Sequence, residues 1–326
     1  MKHFLSGRLI AAWAAVLVAA LSISARAEDY PAKPVRVIVA NSVGSLSDVV
    51  SRVVFSKVSE LLGQSFVVDN RPGAGGTIAG DAVAKSAPDG YTLLFASDSV
   101  LCIAPHVYAT LPYDPLRDFA PVSLLTKIPQ VFVAHPSLGV KSLDALIELA
   151  RSRPGKINYS SGGPGHATHL GMELFLLRTG LQMEHVPYKG TGPATQAVIA
   201  GEVGVSDLGL GIVLAPIQDG RLIGLAVSGP RIEGVLPSLP DLSTRVKDAD
   251  YVSWQAVFAP ARTPRSIIDR LNAALLRAME SSDVKARMLD TGMPGVSSTP
   301  EELGKLVARD LAVDREIARR VGLKPQ

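Results

Sequence analysis

The sequence is poor in the features on which several common kinds of protein depend. Cys102 is the single cysteine among 326 residues, so the chain cannot form an internal disulfide and must be stabilised by hydrophobic burial. Its position between Leu101 and Ile103 indicates a small buried side chain rather than a catalytic thiol. Beyond the first 27 residues, no apolar run is long enough and free enough of polar residues to cross a bilayer.

Net charge is also scarce once the first residues are set aside. Residues 1–27 hold Lys2, Arg8 and Arg26 and no acidic residue, so removing them leaves 30 basic residues (33 less these three) against 30 acidic ones. A neutral chain has no overall field that would attract nucleic acid or an anionic membrane surface. We therefore expect no nucleic-acid partner, and any preference for an anion must come from a local site.

The first 27 residues have the organisation of a secretory signal peptide. Lys2 and Arg8 precede an apolar stretch over residues 9–23, and residues 25–27 are Ala-Arg-Ala, a small-x-small cleavage site. A transmembrane anchor is the alternative, but the apolar run is short for one. We expect cleavage after Ala27 and export to the periplasm, without lipidation because this segment contains no cysteine.

The 299 residues that remain (326 less 27) alternate strand and helix patterns. The β-branched run at residues 35–40 precedes residues 48–62, whose apolar positions have helical spacing, and this order repeats along the chain. It predicts an α/β protein with mostly parallel sheets flanked by helices. Because the pattern restarts near residue 130, we predict a first lobe of residues 28–129 plus 253–326, a second lobe of residues 130–252, and a ligand cleft between them.

Two loops, one in each predicted lobe, follow a strand and precede a helix: the first loop (residues 41–47) and the second loop (residues 160–168). Ligands of parallel sheets bind at the carboxyl ends of strands, where helix amino termini expose unpaired N–H groups. Ordinary turns with capping serines are the alternative. The candidate ligand-binding residues are Ser42, Gly44, Ser45, Ser47, Asp48, Ser97 at the end of the third predicted strand, Ser161, Gly163, Gly165, His166, Thr168, His169 and Asp207.

Other motifs in the sequence are incomplete. Residues 73–76 (GAGG) follow a strand and open a helix, as a dinucleotide-binding loop does, but Ile78 stands where that motif requires its third glycine. His166 and His169 have the spacing of metal ligands, yet no cluster in their loop completes a site. No serine has an evident base and orienting acid, and no G-x-S-x-G motif occurs. We therefore expect no cofactor, no metal and no catalysis.

Several stretches together resemble the Bug (TctC-type) receptors of tripartite tricarboxylate transporters, over essentially the whole of residues 30–326. His169, Leu170 and Glu173 belong to this resemblance, as does the segment from Trp254 to FAP at residues 258–260. The other stretches are YPAKPVRVIV (30–39), DNRPGAGG (69–76), APDGYTLL (87–94), YDPLRDFAPV (113–122), YSSG (159–162), VPYKG (186–190) and GLKPQ (322–326).

The resemblance implies a two-lobed periplasmic-binding-protein (Venus flytrap) fold in which loops of both lobes grip a small carboxylate. It implies that the protein has no catalytic activity and that its partner is a membrane permease. We expect the chain to be a monomer. Ligands of the family include di- and tricarboxylates, acidic amino acids and aromatic acids. A periplasmic sensor that feeds a signalling receptor is the alternative function, because it needs the same hinge and cleft.

The first loop departs from the family pattern Pro-x-Gly-Gly-x-x-Asp. Ser42 replaces the proline and Ser45 replaces the second glycine, while Gly44 and Asp48 match. These changes put the class of ligand in question more than the fold.

In the second loop, Pro164 and His166 occupy the family's variable and hydroxyl positions, and Asp207 is the nearest match to an aspartate-containing turn. At a helix amino terminus, His166 would add a hydrogen-bond donor for an anion. A solvent-facing loop histidine is the alternative.

Overall fold

The structure, a computed structural model, describes residues 30–291 and 293–322. The predicted signal peptide lies outside the described residues. So does Gly292, at which the sequence predicts that a helix ends. The described residues form two five-stranded sheets. In chain order the strands are β1 (Val35–Val39), β2 (Phe66–Asn70), β3 (Thr92–Ser97), β4 (Phe119–Lys127), β5 (Gln130–Ala134), β6 (Asn158–Ser161), β7 (Glu184–Pro187), β8 (Val205–Gly209), β9 (Ile223–Ser228) and β10 (Trp254–Pro260).

Helices connect most of these strands. A π-helical turn, Ser99–Ile103, leads into the short third helix. The α-helices are α1 (Leu46–Leu62), α2 (Thr77–Ala84), α3 (Ala104–Val107), α4 (Leu143–Ser152), α5 (Ala167–Thr179), α6 (Thr191–Ala200), α7 (Leu210–Gln218), α8 (Leu242–Arg245), α9 (Arg265–Glu280), α10 (Ser282–Asp290) and α11 (Pro300–Arg320).

The two sheets have the same design. The first has the order β2-β1-β3-β10-β4 and the second the order β7-β6-β8-β5-β9. In each sheet, four strands run in one direction, and the fourth strand in the order, β10 or β5, is antiparallel to both its neighbours. The predicted α/β class with mostly parallel sheets is confirmed, and the reversed strand makes both sheets mixed.

The chain passes between the sheets twice, and the two crossings lie side by side. Ile128 and Pro129 alone separate β4 from β5, and the N–H of Ile128 donates to the carbonyl oxygen of Ser253, 2.8 Å away, just before β10. A strand that enters a sheet directly from the other sheet has no helical crossover to bring it back. The first strand after each crossing, β5 or β10, therefore runs against its neighbours.

Helices cover both faces of each sheet, which explains why strands such as β3, β5 and β10 are almost entirely buried. Helices α1, α9 and α10 pack on one face of the first sheet, whereas α2, the π-helical turn and α11 pack on the other. Helices α4 and α5 cover one face of the second sheet, and α6 and α7 cover the other. Each sheet therefore has its own hydrophobic core.

The sequence analysis did not identify β4, which contains Pro121. Proline lacks an N–H group and is tolerated only where no neighbouring strand needs that donor. β4 lies at the edge of the first sheet, and its ladder with β10 shifts register beside Pro121. The edge position therefore accommodates a residue that argues against a strand in the sequence.

A separate apolar cluster joins elements that belong to the two sheets. Ile103 of the π-helical turn and Ile317 of α11 contact Leu170 and Leu174 of α5, together with Tyr251 before β10. These five side chains are buried. The cluster fixes the amino-terminal part of α5, and with it the second loop, next to helices that pack on the first sheet. Within the described part of the chain, no helix has the length and apolar composition required to span a membrane.

The packing of α2 on Tyr113 generates a prediction about stability. A β-carbon at Gly80 would lie 2.6 Å from Cε1 of Tyr113, whose hydroxyl donates to the carbonyl oxygen of Val100 at 2.7 Å. We expect Gly80→Ala to lower the free energy of unfolding by about 1–3 kcal/mol, because the ring cannot move without losing that hydrogen bond. Urea denaturation measures the change.

Gly211 in α7 provides the matched control. A β-carbon there would meet no atom within 4 Å, so Gly211→Ala should raise stability by roughly 0.5–1 kcal/mol through helix propensity. Equal effects of the two substitutions would contradict the proposed contact with Tyr113.

Candidate functional site

The first loop connects β1 to α1 and is held by its own side chains. Ser45 caps α1 by accepting the N–H of Asp48 at 3.2 Å. The carboxylate of Asp48 accepts the N–H of Gly44 and the Nε–H of Arg52, each at 2.9 Å. Burial opposes ionisation of Asp48, but the hydrogen bonds from Arg52 and Gly44 outweigh it and lower the pKa of this carboxyl. Asp48 thus shapes the loop, and its charge is already compensated.

Ser47 ties the first loop to the centre of the first sheet. This buried hydroxyl accepts a hydrogen bond from Nε2 of Gln255 at 2.9 Å. Gln255 lies in β10 opposite Ser97 of β3. Ser47 therefore anchors the loop above the strand ends at which Ser97 is placed.

A cavity of about 290 Å³ lies at the carboxyl ends of β1, β2 and β3. The hydroxyl oxygens of Ser97 and Ser99 are 2.5 Å apart on its wall. None of the described residues that line it is charged, so a ligand would meet hydroxyl and amide groups rather than a salt bridge. The lining consists of Ala40, Asn41, Ser42, Pro72, Gly73, Gly75, Gly76, Ser97, Ser99 and Val100.

The glycine loop, residues 73–76, forms part of this wall although it was not among the predicted ligand-binding residues. Gly73 and Gly76 have φ of +124° and +92°, a region that favours glycine, and α2 then begins without a side-chain cap. The sequence analysis tested the loop only as a dinucleotide motif. Its position between a strand and a helix was the signal that could have identified it, because that position places it at the strand ends.

The second loop is closed by hydrogen bonds from its own backbone. The N–H of Gly162 donates to Oγ1 of Thr168 at 2.9 Å, and that of Gly163 donates to Oγ of Ser161 at 3.1 Å. The N–H of Gly165 donates to Nδ1 of His169 at 3.1 Å. These amides, which the sequence analysis expected to face a ligand, thus have acceptors inside the protein.

His166 caps α5 with its imidazole. Nδ1 accepts the N–H of Thr168 at 3.2 Å and lies 3.0 Å from the Thr168 hydroxyl oxygen, which accepts the Gly162 N–H and can donate in return. Desolvation of the ring lowers the pKa of His166, which favours the neutral form that the cap requires. The residue is exposed, and in this neutral form Nε2–H is the donor that a ligand could use.

The starts of the helices differ from the expectation of unpaired N–H groups at α1 and α5. Ser45 and His166 cap those two helices through their side chains, whereas α2 and α6 begin without such a cap, at Gly76 and Gly190. The N–H of Gly190 donates to the carbonyl oxygen of Gly162 at 3.1 Å, so the start of α6 adjoins the second loop. The connections β2–α2 and β7–α6 therefore have helix starts without a side-chain cap.

The rings of Tyr159, His185 and His169 stack on one another next to the second loop. His185 of β7 lies opposite Tyr159 of β6, and their ring centroids are 4.9 Å apart. The ring of His169 stacks on His185 at 4.1 Å. The hydroxyl of Tyr159 donates to Glu173 at 2.5 Å, and Glu173 pairs with Arg320 of α11 at 3.5 Å. Tyr159 and His185 were not predicted, because the register that pairs them is visible only in the sheet.

Asp207 lies within β8, away from the residues that line the cavity. Its carboxyl group is fully buried beside Gly171 of α5, and neither oxygen has a hydrogen-bond partner among the described residues. Burial, and then the nearby charge of Asp250, raise the pKa of Asp207 well above its usual range. A neutral carboxyl group buried against a helix does not provide a charge for a ligand.

The carboxyl end of α3 touches both glycine-containing loops. A β-carbon at Gly75 would lie 2.8 Å from the hydroxyl oxygen of Tyr108, and one at Gly165 would lie 3.6 Å from Cγ2 of Val107. The cavity wall at the first sheet and the second loop therefore meet across two consecutive residues. Of the predicted residues, Ser42 and Ser97 line the cavity. Its wall is supported by the rest of the first loop and the start of α1, which include Gly44, Ser45, Ser47 and Asp48. Gly165 lies on the other side of α3, beside Val107.

The histidines of this arrangement are hydrogen-bonded within the protein. Among the residues that the structure describes, no three His, Cys, Asp or Glu side chains form a group that could hold a metal ion. His166, His169 and His185 are engaged with Thr168, Gly165 and Ser161.

The sequence is similar to those of known proteins. A sequence profile described as the tripartite tricarboxylate transporter family receptor matches residues 50–323. Protein BugT of Bordetella pertussis (strain Tohama I) is 36% identical over 312 residues, which cover 95% of each chain.

Solved structures of similar proteins have the same fold. One described as a periplasmic transporter is 32% identical, with a TM-score of 0.68 over 90% of this chain and 99% of the other. Rpa4515 of R. palustris, solved with adipate, is 31% identical, with a TM-score of 0.69 over 91% of this chain and 100% of the other. The predicted two-lobed periplasmic-binding-protein fold is thereby confirmed.

The cap on α5 generates a prediction that separates His166 from an ordinary loop residue. We expect His166→Ala to lower the free energy of unfolding by about 0.5–2 kcal/mol at pH 8, because the N–H of Thr168 loses its acceptor. His166→Asn should retain most of the stability, since its side-chain oxygen also accepts. Urea denaturation of the three proteins measures these differences.

The pH dependence of this difference has a defined sign. The pKa of His166 is lowered in the folded state, so the cap contributes fully above the ordinary histidine value of about 6.5 and is lost as pH falls through the folded value. The stability advantage over His166→Ala should therefore shrink in acid. A difference that is constant with pH would contradict capping by the neutral ring.

Proposed function

The chain belongs to the tripartite tricarboxylate transporter family of receptors, and on that premise we propose that it captures a small organic carboxylate for delivery to a membrane permease. It is a solute-binding protein of the Bug (TctC) type, and the family and its solved relatives are periplasmic binding proteins. We propose that residues 1–27 are the cleaved signal that exports it without a lipid anchor. The mature monomer then binds its ligand between lobes of residues 28–129 plus 253–326 and residues 130–252.

The uncharged cavity at the ends of β1, β2 and β3 is the observation that carries this proposal. Its volume of about 290 Å³ suits a small molecule, and Asn41, Ser42, Ser97 and Ser99 provide directional polar groups on its wall. The start of α2 adds the positive end of a helix dipole, although the N–H groups of Gly76 and Thr77 already donate to the carbonyl oxygens of Gly73 and Ala74. These features together favour an anionic guest.

A carboxylate fits this set of donors in strength as well as in sign. A hydrogen bond to a charged group contributes about 1.5–3 kcal/mol. Four such bonds at about 2 kcal/mol each would supply the roughly 8 kcal/mol that corresponds to micromolar affinity. The relative Rpa4515, solved with adipate, supports the same class of ligand for this chain.

A ligand screen with two matched variants tests the proposal. We expect at least one acid from a panel of adipate, other di- and tricarboxylates, acidic amino acids and aromatic acids to stabilise the protein. A ligand at 100 times its Kd adds about 2.7 kcal/mol, which differential scanning fluorimetry detects. Ser42→Trp should abolish that shift, because the exposed residue lies on the cavity wall and an indole there fills the space.

Ser56→Trp is the control, since Ser56 is also an exposed serine near the first sheet but lines a different groove, beside Arg52 and Phe66. This variant should keep the shift. Binding that survives Ser42→Trp, or a panel in which no organic acid binds, would reject the proposed site or the proposed class of ligand, respectively.

Delivery to a permease requires a separate measurement. The family name supports a membrane transporter as the partner. In proteoliposomes that contain a permease of the tripartite tricarboxylate type from the same organism, uptake of the acid identified by the screen should require this protein. Ser56→Trp should support uptake and Ser42→Trp should not. Uptake that is independent of the protein would contradict a role in delivery and favour a sensor.

A further inference from the structure

His169 of α5 and His185 of β7 stack on each other next to the second loop. Nδ1 of His169 accepts the N–H of Gly165 at 3.1 Å. Nε2 of His185 is 2.6 Å from Oγ of Ser161, and this hydroxyl accepts the N–H of Gly163 at 3.1 Å. Gly163 and Gly165 have φ of +120° and +74°, so they make the sharp bends of the loop. The bend at Gly165 therefore depends directly on His169, whereas the bend at Gly163 is held by the Ser161 hydroxyl, which lies between Gly163 and His185.

We propose that His169 is a positioning residue, which holds the second loop in the observed shape only while its imidazole is neutral, and that the stacked ring of His185 supports it. The consequence for the ligand rests on the function proposed above. The shape of the loop itself can be measured without any ligand.

The geometry gives the chemical reason. A proton on Nδ1 of His169 would replace its lone pair by an N–H that faces the N–H of Gly165, so the hydrogen bond between them would be lost. The two ring centroids are 4.1 Å apart with 16° between the planes, and a second positive charge in this stack would be repelled by the first. Because His169 is 4% exposed, water can do little to stabilise its charged form.

The charged and titratable groups around the pair do not compensate such a charge. Glu173 of α5 faces His185 but accepts the Tyr159 hydroxyl and pairs with Arg320 of α11, so its charge is already shared. A positive charge on His166 of the loop would repel a positive charge on His169. Tyr159 of β6 stays protonated, because burial and the hydrogen bond to Glu173 raise its pKa.

Burial is the main cause that lowers the pKa of both histidines to about 4. His166 lowers the pKa of His169 further, and His169 does the same for His185. Both folded-state values lie below the ordinary value of about 6.5. The neutral pair thus contributes its full stability above that value, and the contribution is lost as pH falls through about 4. The loop is therefore held at neutral pH and released in acid.

Backbone amide NMR of the ligand-free protein tests the proposal. In the wild type, we expect the amide signals of Gly163 and Gly165 to keep their positions from pH 8 to about pH 5 and to shift together around pH 4, as the imidazoles take up a proton. Imidazole ¹⁵N signals report the protonation of His169 and His185 in the same samples. Glycine signals that stay constant while these histidines titrate would overturn the proposal.

Two variants of His169 separate the acceptor from the ring. His169→Asn places a side-chain oxygen near the position of Nδ1 but removes the stacked ring, whereas His169→Phe keeps a ring on His185 and removes the acceptor. At pH 7 we expect hydrogen exchange of the Gly165 amide to accelerate about tenfold in His169→Phe and to stay within about twofold of the wild type in His169→Asn. The reverse order would show that packing of the ring, not the acceptor, shapes the loop.

Discussion

The two side-by-side crossings between the sheets are the constraint on which the rest of the molecule depends. Two residues connect β4 to β5, and the hydrogen bond from Ile128 to Ser253 joins that link to the segment that returns to β10. Each crossing delivers a strand that is antiparallel to its neighbours, and each sheet then places the ends of its parallel strands around the crossing. The loops that follow those strands can meet across α3 only because both sheets share this junction.

Local signals in the sequence were sufficient for many helices but not for the arrangement of the strands. Gly63 ends α1 in the left-handed conformation, and Thr299 with Glu302 forms a capping box at the start of α11, as the spacing Thr-Pro-Glu-Glu predicts. These signals act over a few residues, so they can be recognised without the fold. The place of β10 between β3 and β4, and the existence of β4 itself, depend on pairing between distant segments, which no local pattern encodes.

The candidate site divides in the same way. The sequence located both loops, because a loop between a parallel strand and a helix must lie at the carboxyl end of the sheet. It did not show where the loop amides donate. His169 is four residues from Gly165 and His185 is twenty-two residues from Gly163, and only the parallel pairing of β6 with β7 brings His185 beside Ser161. Acceptors of this kind are fixed by tertiary structure, so the interpretation of glycine-rich loops as open anion sites was incomplete.

Protonation acts in opposite directions at the junction and at the second loop. Asp98 lies near the crossings, and burial raises its pKa to about 7 although a hydrogen bond from Ser253 opposes the shift. Burial also raises the pKa of the Asp314 carboxyl group. A carboxyl group with a raised pKa stabilises the fold below its ordinary value of about 3.9, and this contribution declines as pH rises through the folded value. The neutral histidines of the second loop have the reverse dependence. Acid therefore favours the buried carboxyl groups at the junction while it disfavours the loop, so the ligand-binding shape and the joint between the lobes are not stabilised by the same protonation state.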